Sequence, residues 1–127
     1  MLIRMSDFRQ RLGHYGEQLA QAFIKAQGCT LLATNWREGR HGEIDIIALD
    51  LKLNRLRFIE VKTRRQVSFG HPIEAVTVTK QQTIRNLAQR YLDQHQQYQD
   101  KDVSFDVISV QVASQGPPNI EHLENVF

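Results

Sequence analysis

Cysteine is nearly absent from this chain: Cys29 is the single copy in 127 residues, so no disulfide can close within it. That thiol heads an apolar segment, where a buried free cysteine is the expectation. Long hydrophobic runs are missing too. No stretch approaches the length of a membrane span, and the opening residues Met1 to Asp7 lack the apolar run of a secretory signal. Both absences argue against a membrane partner and point to the cytoplasm. The five histidines, His14, His41, His71, His95 and His122, are scattered without the spacing of a zinc site. His41 and His71 stand in turn-rich segments from which they can approach a substrate. Repeats and low-complexity tracts are absent as well, which excludes solenoids and linkers.

What remains is an ordinary globular composition, 41% hydrophobic and 24% charged, enough for one core and too little for two. Residues 1–127 therefore read as a single domain, with a core over about 6–112 and a C-terminal tail over 113–127 that Gly116-Pro117-Pro118 cuts off. Net charge is only +2, but it is unevenly spread. Residues 1–65 carry twelve Lys or Arg against seven Asp or Glu, and the remainder carries four against seven. The basic half includes Arg37, Arg40, Arg55, Arg57, Arg64 and Arg65, a distribution that attracts a phosphate backbone.

From Ser6 to Ala26 apolar residues recur at helical intervals (Leu12, Tyr15, Leu19, Ala22, Phe23, Ala26), with Gly28 as the stop. Cys29 to Asn35 reads as a strand, and Arg37 to Gly42 as a turn-rich segment. Two further strands follow, around Glu43 to Ala48 and Phe58 to Lys62. Arg64 to Pro72 reads as a loop and Ile73 to Val76 as an extended piece. A second helix is predicted from a Thr79/Gln82 capping box, with Ile84, Leu87, Ala88, Tyr91 and Leu92 as its stripe. Val103 to Val110 reads as the last strand. The order is αβββαβ, and hairpins followed by a crossover helix imply an α/β fold with a mixed sheet flanked by helices.

Within this plan two acids interrupt apolar, β-branched runs: Asp45 in Glu43-Ile44-Asp45-Ile46-Ile47-Ala48, and Glu60, fifteen residues later, in Phe58-Ile59-Glu60-Val61-Lys62. Alternation along a strand points Glu60 and Lys62 to one side and Val61 to the other. A hairpin turn centred near Lys52-Leu53 sets Asp45 opposite Glu60, and one centred at Leu53-Asn54 sets it opposite Lys62. Either register gathers all three, with directly opposed Cβ atoms about 5 Å apart. Carboxylates that close repel unless a proton or cation lies between them, and a hard divalent ion such as Mg²⁺ or Mn²⁺ suits oxygen ligands. The competing reading is a set of cross-strand charge pairs on a solvated face. Ile47, Leu49 and Phe58 share the acids' face and weigh against it. Glu43 is a reserve ligand, with a solvated strand start as its plainer reading. Trp36 reads as a packing residue, and Asp106 as either a support for the site or an edge residue. Lys80 and Gln81 open the second helix, where backbone donors and the helix dipole suit a phosphate.

Gly13-His14-Tyr15-Gly16-Glu17, Asn35-Trp36-Arg37, Gly42-Glu43-Ile44-Asp45-Ile46-Ile47-Ala48, Glu60-Val61-Lys62-Thr63-Arg64, Phe69-Gly70 and Phe105-Asp106-Val107 together resemble the bacterial YraN-type family of endonuclease-like proteins. The match runs from Gly13 to Val110. That family is similar to the restriction-endonuclease-like nucleases and the archaeal Holliday junction resolvases, whose signature is an acid followed by Glu/Asp-x-Lys. The resemblance implies a restriction-endonuclease-like core, with Asp45, Glu60 and Glu17 as metal ligands, Lys62 as the catalytic lysine, and Mg²⁺ or Mn²⁺ as cofactor. It departs from the pattern at Ile44, where a proline often precedes the first acid. It further implies DNA as partner, branched forms included, and a homodimer for symmetric cutting. Arg37, Arg40, Arg64, Arg65 and Lys80 are the candidate nucleic-acid contacts. The function expected is hydrolysis of DNA phosphodiester bonds. A non-catalytic nucleic-acid-binding module of the same fold is the alternative, and an interaction protein with structural hairpin charges is the third reading.

Overall fold

A computed structural model describes residues 4–65 and 72–127. Phe69, Gly70 and His71 lie outside the described residues. Helix α1 spans Met5–Ala26 and ends as expected, with Gly28 at φ 93° and its N–H donating to the Lys25 carbonyl. Its buried line, however, is Gly16, Ala20 and Ile24 rather than the larger residues the periodicity favours; Tyr15, Ala22 and Ala26 are exposed. At Gly16 and Ala20 small residues take the contact because the helix lies very close to the sheet there. A Cβ on Gly16 would overlap the Thr63 side chain.

Strands β1 (Cys29–Arg37), β2 (Glu43–Asp50) and β3 (Arg55–Arg64) form an antiparallel meander. Helix α2 (Val78–Gln94) then carries the chain across to β4 (Asp102–Gln111), which pairs parallel to β3. Strand β5 (Asn119–Leu123) adds an antiparallel edge, and the sheet order is β1-β2-β3-β4-β5. The stretch after Gly116 is thus part of the sheet. Gly116-Pro117-Pro118 acts as a turn into a strand rather than as the end of structure, and Asp106 lies on an inner strand.

Two other expectations are corrected. Pro72–Ala75 is a short 3₁₀ helix rather than extended backbone. The α2 cap is Thr77, whose hydroxyl accepts from the Lys80 N–H at 3.1 Å, two residues before the expected Thr79. Both threonines have the chemistry for a cap, and Val78, 80% exposed, costs little as a first-turn residue.

The helices cover opposite faces. Ala20 and Ile24 of α1 pack with Ile46, Ala48, Ile59, Val61, Ile108 and Val110; Ile84, Leu87, Ala88 and Tyr91 of α2 pack with Ile44, Ile47, Leu56 and Phe58. Trp36 meets Tyr91 edge-on at 5.3 Å, so it packs as expected. Two core layers around a mixed sheet make the molecule an α/β fold consistent with a restriction-endonuclease-like core. No helix among the described residues is long and apolar enough to cross a membrane.

Candidate metal centre

The register settles which acids meet. Asp50 Oδ1 accepts the N–H groups of Lys52 and Leu53, and Asn54 adopts φ 53°, so the turn centres on Lys52-Leu53. Pairing then runs from Asp50–Arg55 to Ile46–Ile59, and Asp45 falls across from Glu60. There the ladder gives way to a side chain: Asp45 Oδ2 accepts the Val61 N–H at 2.8 Å. Strand β2 also turns over at this point, since Ile44 joins the α2-side core while Ile46 joins the α1-side core. On β1 the matching position is Asn35, held at φ 49° between the Thr34–Ile46 and Trp36–Ile44 pairs.

Close approach of α1 at Gly16 brings Glu17 to the same place. Carboxylate oxygens of Glu17, Glu43 and Asp45 lie within 4.8 Å of one another. Glu60 is not in that triple, although it acts electrostatically on Asp45. Glu60 is buried; its Oε1 lies 3.7 Å from Lys62 Nζ and its Oε2 3.9 Å from Lys80 Nζ. Lys80 Nζ also donates to the Glu43 carbonyl at 3.3 Å. Asn35 Nδ2 donates to Glu17 Oε2 at 3.1 Å and to Glu43 Oε1 at 2.8 Å, while Arg37 grips Glu43 Oε2 through Nε at 2.7 Å and Nη2 at 2.6 Å.

Electrostatics divide these acids. Burial, and next the Glu60 and Glu17 charges, push Asp45 up to about 7 against the Val61 N–H and Lys80. Burial likewise raises Glu60, although Lys80 and Lys62 oppose it. For Glu43 burial also works upward, but the Asn35 amide and Arg37 outweigh it and hold the carboxyl below its ordinary range.

The donor set is all oxygen, the carboxylates outnumber the cations that touch them, and Glu60 Oε2 is buried with no hydrogen bond among the described residues. That combination fits a hard divalent cation such as Mg²⁺ or Mn²⁺. Cys29, on the α1-side core, takes no part.

Of the basic residues singled out, Arg37 and Lys80 reach the acids themselves. Arg37, Gly39, Arg40, Gly42, Glu43 and Lys80 line a cavity of about 490 Å³, and His14, Glu17, Asn35, Arg37 and Glu43 contribute to another of about 420 Å³ beside it. Arg65 lies over the Phe8 ring at 4.9 Å, and Arg64 ends β3 with its carbonyl accepting from the Val112 N–H. His41 faces Thr83, Asn86 and Arg90 of α2 across a third cavity. Asp106 belongs to a different charge cluster, with Arg57 and His122, and does not support this site. Asn35 is the residue that sequence reasoning passes over. A neutral amide in a strand gives no charge signal, and its role depends on a backbone conformation that composition does not reveal.

Comparison with known proteins finds a family model and relatives that span most of the chain. The model of the uncharacterised protein family UPF0102 matches residues 16–110. A UPF0102 protein of Nocardia farcinica is 45% identical over 128 residues, covering 100% of this chain and 96% of its own. Relatives in Streptomyces coelicolor and Alkaliphilus oremlandii are 42% and 44% identical, each over 93% of this chain and over 89% and 98% of their own.

Proposed function

For this chain, which belongs to the UPF0102 (YraN-type) family, we propose a metal-dependent endonuclease activity that hydrolyses DNA phosphodiester bonds. The observation that carries this reading is the buried, mutually repelling pair Asp45 and Glu60, flanked by Lys62 and opening beside a basic rim. A binding module has no use for buried acids that repel phosphate, and a structural charge pair would be neutralised.

Asp45, Glu60 and Glu17 are the ligands in this reading, with Glu43 beside them. A bound Mg²⁺ or Mn²⁺ supplies positive charge for the phosphate oxygens and a lowered pKa for water. Lys62 bridges inside and outside: its Nζ stays 3.7 Å from Glu60 while its side chain is 33% exposed. From there it holds the attacking water or steadies the charge that builds on the phosphorus oxygens. Arg37, Arg40, Arg64, Arg65 and Lys80 serve the phosphates on either side. Branched DNA, cut symmetrically by a homodimer, extends the same reading.

The test is cleavage of linear, single-stranded, flapped and four-way-junction DNA with Mg²⁺ or Mn²⁺ by wild type, Glu60→Gln and Lys62→Ala. Wild type should cut at least one substrate, and each variant should lose on the order of 100-fold or more. Equal activity in all three proteins overturns the assignment. DNA binding without cleavage by any of them selects the binding module instead.

A further inference from the structure

Glu17 and Glu43 come from different elements, a helix and a strand, and each carries the same charge. One group stands between them. The Asn35 amide offers two N–H donors and directs them at Glu17 Oε2 and Glu43 Oε1, at 3.1 and 2.8 Å. Its backbone is left-handed at φ 49°, a conformation that costs most side chains energy and that asparagine tolerates better than other non-glycine residues. The turn-over of β2 at Asp45 lies directly across from it. Glu43 is then gripped from the other side by Arg37, which takes Oε2 at 2.7 and 2.6 Å.

A carboxylate has about four lone-pair positions, so these bonds leave Glu43 able to accept a cation as well. Groups that ligate metals are themselves ordinarily held by such outer hydrogen bonds, which set their orientation. A second feature belongs to the same charge cluster. Glu60 Oε2, on a side chain only 6% exposed, has no hydrogen-bond partner among the described residues and only Lys80 Nζ at 3.9 Å as an ion-pair contact there, and its charge acts on Asp45 and is acted on by Glu43.

We propose that Asn35 is a positioning residue for the cation site: by bonding Glu17 and Glu43 at once it sets the gap between them and makes Glu43 a ligand alongside Glu17 and Asp45. This rests on the metal-dependent reading above and specifies which oxygens do the holding. Asn35 acts through the two carboxylates.

Asn35→Gly separates the side chain from the backbone, because glycine accepts the left-handed conformation freely. Mn²⁺ affinity is measured by electron paramagnetic resonance and calorimetry, without DNA, for wild type, Asp45→Asn, Asn35→Gly, Glu43→Gln and the Asn35→Gly/Glu43→Gln double variant. Thermal unfolding of each metal-free protein checks the fold. Wild type should bind and Asp45→Asn should lose most of the affinity. Asn35→Gly and Glu43→Gln should each weaken binding about tenfold or more. The double variant should be no weaker than the poorer single one, since both changes break the same arrangement. If Asn35→Gly binds as wild type while Asp45→Asn does not, the positioning role is overturned and the metal site stands. Additive losses in the double variant overturn it too. If wild type fails to bind Mn²⁺, or Asp45→Asn binds equally well, the metal reading itself falls.

Discussion

The central strands carry two buried charge clusters, one at each end, and they are built on opposite terms. At one end Arg57, 2% exposed, meets Asp50 at 3.0 Å, Asp106 at 2.9 Å and Glu124 at 2.6 Å. Asp106 also takes His122 at 2.8 Å and the Asn125 N–H at 2.9 Å. Burial works to raise Asp106, but His122, the Asn125 N–H and Arg57 outweigh it, and its carboxyl lies below the ordinary range. At the other end Asp45, the acid opposite Glu60, is pushed up to about 7. In one cluster each acid meets a cation directly, whereas in the other Asp45 has the Val61 N–H as its donor and, among the described residues, Glu60 Oε2 has no hydrogen bond. Burial of acids is common to both; only the balance of donors tells a clamp from a site.

Breaking the closed cluster should have the largest effect on stability. Arg57→Met keeps the aliphatic length but takes the guanidinium away from Asp106 and Asp50, and loss of one partner from a buried pair costs about 3–5 kcal/mol. For a domain of this size that is a fall in Tm on the order of 10–20 °C, readable by circular dichroism. The proposed DNA cleavage, per folded molecule, should be unchanged below the new Tm. A Tm within two or three degrees of wild type would erase the contrast between the ends.

The two ends should also answer pH with opposite signs. Asp45 titrates higher folded than unfolded, so the folded state binds the extra proton, and its contribution to stability falls as pH rises from about 4 to about 7. Asp106 titrates lower folded than unfolded, so its contribution is present above about pH 4 and drains away as pH falls through the folded value. In chelator-treated buffer Asp45→Asn should therefore match wild type near pH 4 and exceed it by at most a few kcal/mol at pH 8, since each pKa unit is worth about 1.4 kcal/mol. Denaturant unfolding at the two pH values measures this. Equal stability of the two proteins at pH 8 would mean that Asp45 is not held against its charge.

How much of this contrast the sequence discloses depends on the residue. Asp45, Glu60 and Lys62 stand out because charges inside β-branched runs are conspicuous, although alternation fails at Asp45, where β2 turns over. Alternation narrows their register to two choices, and the signal that decides between them, Asp50 and Asn54 bracketing the turn, is local but easily overlooked. The α1 contact line is misread when size is taken for proximity, whereas Gly16 and Ala20 mark where helix and sheet come closest. Arg57 reads as a basic surface residue in a one-dimensional count, and only the parallel pairing of β4 with β3 brings Asp106 to it. Strand β5 hides behind two prolines that signal a break and carry no sign of the strand beyond it. Glu43 is legible only as a reserve, because its weight comes from Asn35 and Arg37, and neither contact is local in a strand pattern.

The smallest effect tests how the open end is propped. Lys80 is the one cation that reaches both Glu60 and the Glu43 carbonyl among the described residues, and its backbone N–H is the one Thr77 caps. Thr77→Ala removes that acceptor and should cost about 1 kcal/mol, with Thr77→Ser restoring most of it. If the cap also holds Lys80 over Glu60, the alanine variant should move the pH dependence of metal-free stability as well as its level, because the acids lose part of their compensating charge. The neutral-side fall in stability should then steepen in Thr77→Ala and return to the wild-type slope in Thr77→Ser. A uniform loss of stability from about pH 4, near the unfolded carboxylate value, to about pH 8 would show that the cap serves the helix alone and leaves the charge at the open end untouched.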